Sequence, residues 1–324
     1  MMLGQRQSGR REPRRGVVDR KTVQTAVMVI TIVVLLGTLL FREINRNRNA
    51  PPEERPDTGP ADPSVHLTMG NPSGATDDPG TPNNFLMRKP YFALSYNDSR
   101  GGPNWVSWCL RQTDFGTAAR SEFYPDPDLP KGFRHVTPKD YTGTGFDRGH
   151  LCPRSDRTAT PEMANATFVM TNIVPQSPHL NQRGWNDFEE YSRGLVRKGH
   201  TLYIVAGGQG TGGEGTNGRA ESIAGGHVTV PAKCWKVVMV VENGTGGADD
   251  IGRIGPETRV IAVVMRNDQT IGHDWSKYRT SVNEVETLTG YKFFARVSPA
   301  VIDPLKAKVD DTHIPPVGKA HHGD

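Results

Sequence analysis

The chain has 324 residues, of which 35% are hydrophobic and 23% are charged, and its formal net charge is +4. This length is sufficient for one large domain or two small ones with a hydrophobic core. Residues 1–48 hold ten Lys/Arg and three Asp/Glu, whereas the rest of the chain holds 29 basic and 32 acidic residues. The composition therefore excludes a globally cationic body, and any binding of polyanions there must use a local cluster of Arg and Lys.

An uncharged apolar run of nineteen residues, Val23–Phe41, predicts a single transmembrane helix that anchors the chain in a membrane. Seven Lys/Arg precede this run and three follow it before residue 49. We therefore expect residues 1–22 to be a basic cytoplasmic segment and the chain after Arg42 to be periplasmic or otherwise extracytoplasmic. A cleaved signal peptide is disfavoured by the length of the run, and a mitochondrial presequence leading to the intermembrane space is disfavoured by Glu12 and Asp19.

Residues 42–82 are rich in Pro, Asp, Glu, Gly and Asn and poor in large apolar side chains. Such a composition cannot offset the entropy of ordering, so it predicts a flexible linker, with residue 66 as the earliest start of ordered structure. We expect a folded domain over residues 83–304 and a polar tail over residues 305–324.

Short runs of β-branched and aromatic residues between Gly, Pro and Asn turns predict the strands of this domain. These runs are Tyr91–Tyr96, Trp105–Leu110, Thr167–Ile173, Thr201–Ala206, His227–Val230, Trp235–Val241 and Arg259–Met265. Helical periodicity is clearest over Asn181–Lys198 and shorter over Val282–Thr289. The sequence thus predicts an α+β domain with a central mixed or antiparallel sheet.

The segment Gly207–Gly226 contains nine glycines, three of which form a G-x-G-x-x-G pattern directly after a predicted strand. A dinucleotide site needs a helix after that pattern, and none is predicted here. We therefore expect this segment to be a mobile surface loop.

The three cysteines, Cys109, Cys152 and Cys234, leave room for one disulfide whose pairing the sequence does not decide. Cys152 lies two positions from His150, but no separate base and orienting group for a thiol nucleophile is visible. The prediction for Cys152 is a structural turn followed by Pro153.

The chemistry of the chain is concentrated in Asp147-Arg148-Gly149-His150 and in the region that begins at Asn181. His150 is a candidate general base, and Arg148 offers a permanently charged donor for phosphate oxygens. Asn181 opens the predicted helix, where its amide oxygen could hold Mg²⁺, and Glu189 follows on the same helix face. Together these residue types suit hydrolysis of a phosphodiester.

These motifs resemble those of the DNA/RNA non-specific endonuclease family, which includes mitochondrial endonuclease G and secreted bacterial nucleases. The resemblance extends over roughly residues 67–295 and is most specific in three stretches, Phe146–Leu151, Thr171–Gln176 and Leu180–Glu189. It implies a ββα-metal (His-Me finger) nuclease fold, here preceded by the transmembrane helix. It also implies Mg²⁺-dependent cleavage, with Mn²⁺ as a substitute, that leaves 5′-phosphate and 3′-hydroxyl ends.

The resemblance also assigns roles to individual residues. His150 is implied to be the general base, Asn181 the sole protein ligand of the metal, and Glu189 the residue that organises the metal's waters. Three arginines are implied to contact the phosphate, namely Arg148, Arg120 and Arg193. Two polar residues, Asn172 and Gln176, are implied to support the site.

The expected substrates are DNA and RNA held through their phosphate backbone, so affinity should fall with salt and sequence preference should be weak. Membrane attachment through Val23–Phe41 and a homodimer are further expectations. Two alternative functions stay open from the sequence: a membrane-anchored nucleic-acid-binding protein without catalytic activity, and a phosphodiesterase that acts on small nucleotides.

Overall fold

The structure, a computed structural model, describes residues 64–314. The predicted anchor Val23–Phe41 and its flanking segments lie outside these residues. Between residues 64 and 314, no helix is long and apolar enough to cross a membrane.

Thirteen strands are present in the described part of the chain. In chain order they are β1 Phe85–Arg88, β2 Ala93–Asn97, β3 Gly102–Leu110, β4 Asp147–His150, β5 Ile173–Gln176, β6 His200–Gln209, β7 Gly213–Gly215, β8 Gly218–Ala220, β9 Ser222–Ile223, β10 Val228–Thr229, β11 Lys233–Glu242, β12 Arg259–Arg266 and β13 Arg279–Thr280. Seven of them form one sheet in the order β1-β2-β3-β6-β11-β12-β13. Every neighbouring pair is antiparallel. The sequence predicted a mixed or an antiparallel sheet, and the sheet is antiparallel.

Four α-helices accompany the sheet within residues 64–314: α1 Pro161–Ala166, α2 Asn186–Arg197, α3 Val282–Thr289 and α4 Pro299–Ala307. The predicted helix Asn181–Lys198 is α2 together with a π-helical turn before it, Leu180–Trp185. The shorter predicted helix is α3, with its predicted bounds. The sequence missed α1 and α4 because they are short and begin with proline, which leaves little periodicity to read.

The sheet has an apolar layer on each face, which explains why its central strands are almost continuously apolar. One face, with Trp108, Ile204 and Val238, packs against α2 and the hairpin of β4 and β5. The other face, with Trp235 and Val237, packs against α3 and α4. The alternation of strand residues between the layers follows the two-residue period of a strand.

The strand predicted at Thr167–Ile173 is wrong. Residues 170–172 form a 3₁₀ turn, and the strand, β5, begins only at Ile173. The reason is the side chain of Asn172, whose Nδ2 donates hydrogen bonds to the carbonyl oxygens of Thr167 and Cys152. Such local side-chain bonds to the backbone compete with strand pairing.

The glycine-rich segment contains paired strands, so the prediction of a loop is wrong. β6 extends to Gln209, and β7 and β8 pair as a hairpin beyond it. A Cβ atom at Gly215 would lie 2.4 Å from the carbonyl oxygen of Gly145. The glycines therefore permit close packing of backbone against the residues that precede β4, rather than mobility.

Both ends of the folded domain have buried residues. Leu67 and Met69, which follow the residue-66 start that the sequence allowed, are buried in the layer that contains α3. At the other end, α4 continues to Ala307, and Asp310 accepts a hydrogen bond of 2.7 Å from Nε of Arg259. The buried residues at the two ends are few and stand in polar stretches, so they leave little compositional signal.

Candidate active site

The hairpin of β4 and β5 carries His150 at the end of its first strand. Gly149 pairs with Val174 and His150 with Ile173. A side chain at position 149 is excluded, because its Cβ atom would lie 2.2 Å from Oε1 of Gln176. Gln176 is fully buried and thus packs directly beneath the backbone that presents His150.

Asn172 holds the chain just after His150. Its Oδ1 accepts a hydrogen bond of 3.0 Å from the backbone N–H of Cys152, and its Nδ2 donates one of 2.8 Å to the carbonyl oxygen of Cys152. The side chain is fully buried. Asn172 and Gln176 therefore both contact the backbone beside His150. Neither of them lines the cleft described below.

The π-helical turn before α2 presents Asn181. Its Nδ2 donates a hydrogen bond of 2.9 Å to Oδ2 of Asp147, and Nε2 of Gln182 donates one of the same length to the same oxygen. Within residues 64–314, Oδ1 of Asn181 has no hydrogen-bond partner. Asp147 therefore fixes the nitrogen end of the amide to β4 and leaves its oxygen end available.

The hairpin and the turn enclose an open cleft of about 440 Å³. Four of the predicted site residues line it, namely His150, Asn181, Glu189 and Arg120. The other lining residues are Pro153, Arg154, Ser155, Phe168, Gln182 and Asn186. The structure thus brings the candidate base, the candidate metal ligand and the candidate water-organising carboxylate to one site.

The imidazole of His150 lies between aromatic rings and has no protein hydrogen bond in the described part of the chain. Its centroid is 5.3 Å from that of Phe123 and 5.1 Å from that of Phe168, and Nε2 is buried without a partner. Burial, together with the charge of Arg120, lowers the pKa of His150 to about 3. The ring is therefore neutral at pH 7 and able to accept a proton.

Glu189 is a buried carboxylate on α2 with a buried cation as its partner. Nζ of Lys236, on β11, lies 3.0 Å from Oε1 of Glu189, and the two side chains are 1% and 10% exposed. The same Nζ is 4.2 Å from the ring centroid of Trp185. Burial raises the pKa of Glu189 and the Lys236 charge opposes that shift. Oε2 of Glu189 stays free of hydrogen bonds to residues 64–314.

The three predicted arginines differ in their surroundings. Arg120 lines the cleft, with its guanidinium 5.3 Å from the centroid of Phe168. Arg148 lies outside the cleft lining, where Nη2 donates a hydrogen bond of 2.9 Å to the carbonyl oxygen of Pro138. Arg193 is also outside the lining and is buried, and Nη1 donates one of 3.0 Å to Oδ1 of Asp156. In this structure only Arg120 of the three faces the cleft.

The three cysteines are unpaired and buried. Burial raises the pKa of the Cys152 thiol, and it raises the pKa of the Cys109 and Cys234 thiols to about 12. None of them lines the cleft. These thiols are small core residues, as the sequence predicted for Cys109 and Cys234.

Sequence reasoning missed three residues that shape the site: Asp147, Lys236 and Arg154. Asp147 was visible as the first residue of the Asp-Arg-Gly-His motif, three positions from His150. Lys236 was visible as a charge inside an otherwise apolar predicted strand, and a buried charge needs a partner. Arg154 left no signal in the sequence, because only the fold shows which surface arginine faces the cleft.

The donors in the cleft fit a hydrated hard cation. Among residues 64–314, no group of three or more His, Cys, Asp or Glu side chains could hold a metal ion. A site here would instead use the free amide oxygen of Asn181 as its ligand, with the free carboxylate oxygen of Glu189 accepting hydrogen bonds from the cation's waters. Oxygen donors in small number suit Mg²⁺, which keeps several of its own waters.

The hairpin, the helix that follows it and their shared cleft are part of an α+β domain with a central antiparallel sheet, and comparisons with known proteins show the family of this domain. Residues 70–300 match the model of the DNA/RNA non-specific endonuclease family. The chain belongs to this family and is a DNA/RNA nuclease.

Individual relatives support the same assignment. The chain is 47% identical over 249 residues to a nuclease of Nostoc sp.. The matched region covers 76% of this chain and 87% of that protein. The chain is 31% identical to the mitochondrial nuclease EXOG of Xenopus laevis, over 63% of this chain and 57% of that protein. Its fold is similar to a chain in the crystal structure of the EndoG/EndoGI complex, with a TM-score of 0.59, 23% identity and coverage of 75% of this chain and 96% of that one.

Proposed function

We propose that the chain hydrolyses phosphodiester bonds of DNA and RNA at this cleft, with His150 as general base and one Mg²⁺ at Asn181. The observation that carries this proposal is that His150, Asn181 and Glu189 line one cleft. The fixed amide of Asn181 and the neutral imidazole of His150 are the features that the reaction needs.

Asn181 would hold the cation through Oδ1, because its Nδ2 is already bonded to Asp147. Mn²⁺, which also accepts oxygen donors, would substitute for Mg²⁺. When bound, the cation would offset the charge that develops on the phosphate and on the leaving oxygen. Glu189 has one oxygen on Lys236 and the other free to accept hydrogen bonds from water in the cleft.

His150 would take a proton from the attacking water. The water oxygen would bond to phosphorus as the bond from phosphorus to the 3′ oxygen breaks, and the departing 3′ oxygen would take a proton from a water in the cleft, so the products carry a 5′-phosphate and a 3′-hydroxyl. Burial, and after it the charge of Arg120, lowers the pKa of free His150. A phosphate bound at Arg120 would offset that charge and make the imidazole a stronger base during the reaction.

Substrate would be held through its backbone, since the cleft offers guanidinium and amide groups rather than a deep pocket for one base. Arg120 is the arginine placed for this contact. Neither Arg148 nor Arg193 lines the cleft: Arg148 is bonded to the carbonyl oxygen of Pro138, and Arg193 to Asp156 and Glu190. We therefore assign these two to the support of β4 and α2.

Nicking of supercoiled plasmid, with RNA as a second substrate, tests the proposal. We expect cleavage of both by the full chain with Mg²⁺, none with EDTA, and fragments that DNA ligase joins without end repair. The variant His150→Ala should lose about 10²- to 10⁴-fold in rate, whereas the variant of an exposed histidine, His135→Ala, should match wild type. Cleavage in EDTA, or 3′-phosphate ends, would contradict the proposal.

We also propose that the nuclease domain lies on the extracytoplasmic side of a membrane. This proposal rests on the apolar run Val23–Phe41 and on the excess of Lys/Arg before it. Protease added outside intact cells or spheroplasts should then digest the domain while cytoplasmic markers survive. Formation of a homodimer stays a prediction of the family resemblance.

A further inference from the structure

Two guanidiniums in the cleft lining, those of Arg120 and Arg154, keep an unbalanced positive charge. Neither forms an ion pair with a carboxylate in the described part of the chain. Glu189, the acidic side chain of the lining, is already matched by Lys236 at 3.0 Å. One phosphodiester carries one negative charge, so the cleft has more positive charge than the scissile phosphate requires.

Arg120 is the arginine placed at the scissile phosphate. Its guanidinium is 5.8 Å from the ring centroid of Phe123 and 5.3 Å from that of Phe168. The imidazole of His150 contacts the same two rings. Arg120 and His150 therefore share one aromatic support, and a phosphate at Arg120 lies within the reach of the base.

Arg154 occupies a different position in the cleft wall. It opens a 3₁₀ turn, Arg154–Asp156, directly after Pro153, and its Nη2 donates a hydrogen bond to the carbonyl oxygen of Ala118. The ring contacts that link Arg120 to His150 do not include Arg154. The backbone bond holds the guanidinium in place without neutralising its charge.

The remaining donors of Arg154 are unused. Nε is buried without a hydrogen-bond partner, and Nη1 has none among residues 64–314. The carboxylate of Asp156, in the same turn, accepts hydrogen bonds of 3.0 Å from Nε1 of Trp108 and of 3.0 Å from Nη1 of Arg193. An anchored guanidinium with free donors and no carboxylate partner is preorganised for an anionic oxygen ligand.

We infer that Arg154 binds a second, non-scissile phosphate of the same strand, so that the cleft selects polynucleotides over single diesters. This inference rests on the proposed function and names its substrate class more closely. A strand with consecutive phosphates places one at Arg120 and His150 and a neighbouring one at Arg154. A diester with a single phosphate uses the first position alone.

Kinetics of the full chain with Mg²⁺ on plasmid DNA and on bis(p-nitrophenyl) phosphate test the inference. For Arg154→Gln we expect the KM for DNA to rise about 10-fold, which corresponds to the loss of one charged hydrogen bond. The KM for the single diester should rise much less. The slope of log KM against log salt concentration for duplex DNA should become shallower by about 0.9. Arg154→Lys keeps the charge and should keep the wild-type slope.

Arg253→Gln is the matched control, because Arg253 is 42% exposed, outside the cleft lining and next to Asp250. An Arg154→Gln variant that behaves like this control on DNA, or that loses equally on both substrates, would overturn the inference while the proposed function stands. A wild-type chain that cleaves neither substrate would overturn the proposed function and the inference together.

Discussion

Asp147 links the two halves of the candidate site at the scale of a single residue. It stands on the strand that carries His150 and accepts hydrogen bonds from Asn181 and Gln182, both 2.9 Å long. An amide has two ends that are similar in shape, so a partner at the nitrogen end decides which end faces the cleft. The acidic residue of the Asp-Arg-Gly-His motif thus orients the amide of Asn181, the proposed metal ligand.

Removal of this carboxylate should weaken metal binding. We expect Asp147→Ala to raise the Mg²⁺ concentration for half-maximal plasmid nicking by about 10- to 100-fold, because partners of a metal ligand have effects of this size. Asp249→Ala removes an exposed carboxylate elsewhere and should leave the Mg²⁺ dependence unchanged. Equal Mg²⁺ dependence of Asp147→Ala and wild type would show that Asp147 does not orient Asn181.

The buried pair of Lys236 and Glu189 is the second arrangement at this scale. Loss of one partner leaves the other charge buried and uncompensated, which costs about 3–5 kcal/mol in other proteins. Lys236→Met should therefore lower the free energy of unfolding by about 3 kcal/mol in urea titrations. The double variant Glu189→Gln with Lys236→Met should recover much of this stability yet remain without nicking activity.

Measuring both stability and nicking activity of the double variant separates a structural role of Glu189 from a chemical one. If the double variant recovered activity along with stability, Glu189 would be a structural residue only. A Lys236→Met variant as stable as wild type would show that the pair does not need both charges.

At the scale of elements, the site depends on a hairpin and a turn that local propensity does not predict. β4 has the sequence Asp-Arg-Gly-His, without a β-branched residue, and β5 is only four residues long and contains a proline, so neither has the composition of a typical strand. The π-helical turn before α2 includes Arg183 with φ −119° and ψ −105°. The motifs indicated the right residues through their chemistry, whereas the conformation that joins them depends on tertiary contacts.

The close approach of Gly149 and Gln176 gives a test of this hairpin. A Cβ atom at position 149 would lie 2.2 Å from Oε1 and 2.4 Å from Cγ of Gln176. Gly149→Ala should therefore displace β4, destabilise the protein by about 1–3 kcal/mol as overpacking does, and reduce nicking. Gln176→Ala in addition frees space and should restore part of the stability, as measured by thermal unfolding. No improvement in the double variant would rule out this contact as the cause.

At the scale of the whole molecule, the sequence predicted the layers better than the connections between them. The runs at Trp105–Leu110, Trp235–Val241 and Arg259–Met265 all lie in strands of the sheet, because burial on both faces demands apolar residues. Lys236 was visible as a charge in an apolar strand, but nothing in the sequence indicated that its partner is Glu189, 47 positions away. The same holds for the bond from Arg193 to Asp156, 37 positions apart.

Stability of the whole fold should depend on pH through His66, which is outside the cleft lining. Its Nε2 donates to the carbonyl oxygen of Pro90, and its Nδ1 accepts from the backbone N–H of Cys109. Burial, assisted by the charge of Arg157, lowers the pKa of His66 from 6.5 to about 4. Between these values the unfolded chain binds more protons than the folded one, so stability rises with pH in this window and falls on acidification.

The variant His66→Gln removes this titration. On acidification from pH 6.5 to pH 4.5 it should lose about 2 kcal/mol less unfolding free energy than wild type, from the difference between the two pKa values. Urea titrations at both pH values measure this, and His135→Gln, an exposed change, should behave as wild type. The same loss in His66→Gln and wild type would show that His66 is protonated in the folded protein.

His150 and Asn181 should act in one chemical step at one site, and a double-variant comparison of plasmid nicking tests this most directly. Rates would be measured with Mg²⁺ for wild type, His150→Ala, Asn181→Ala and the variant with both changes. Residues that act as a unit are strongly non-additive, so the double variant should be about as slow as the slower single variant. If the rate losses of the two single variants multiply in the double variant, the two residues have independent roles, which would contradict a shared site.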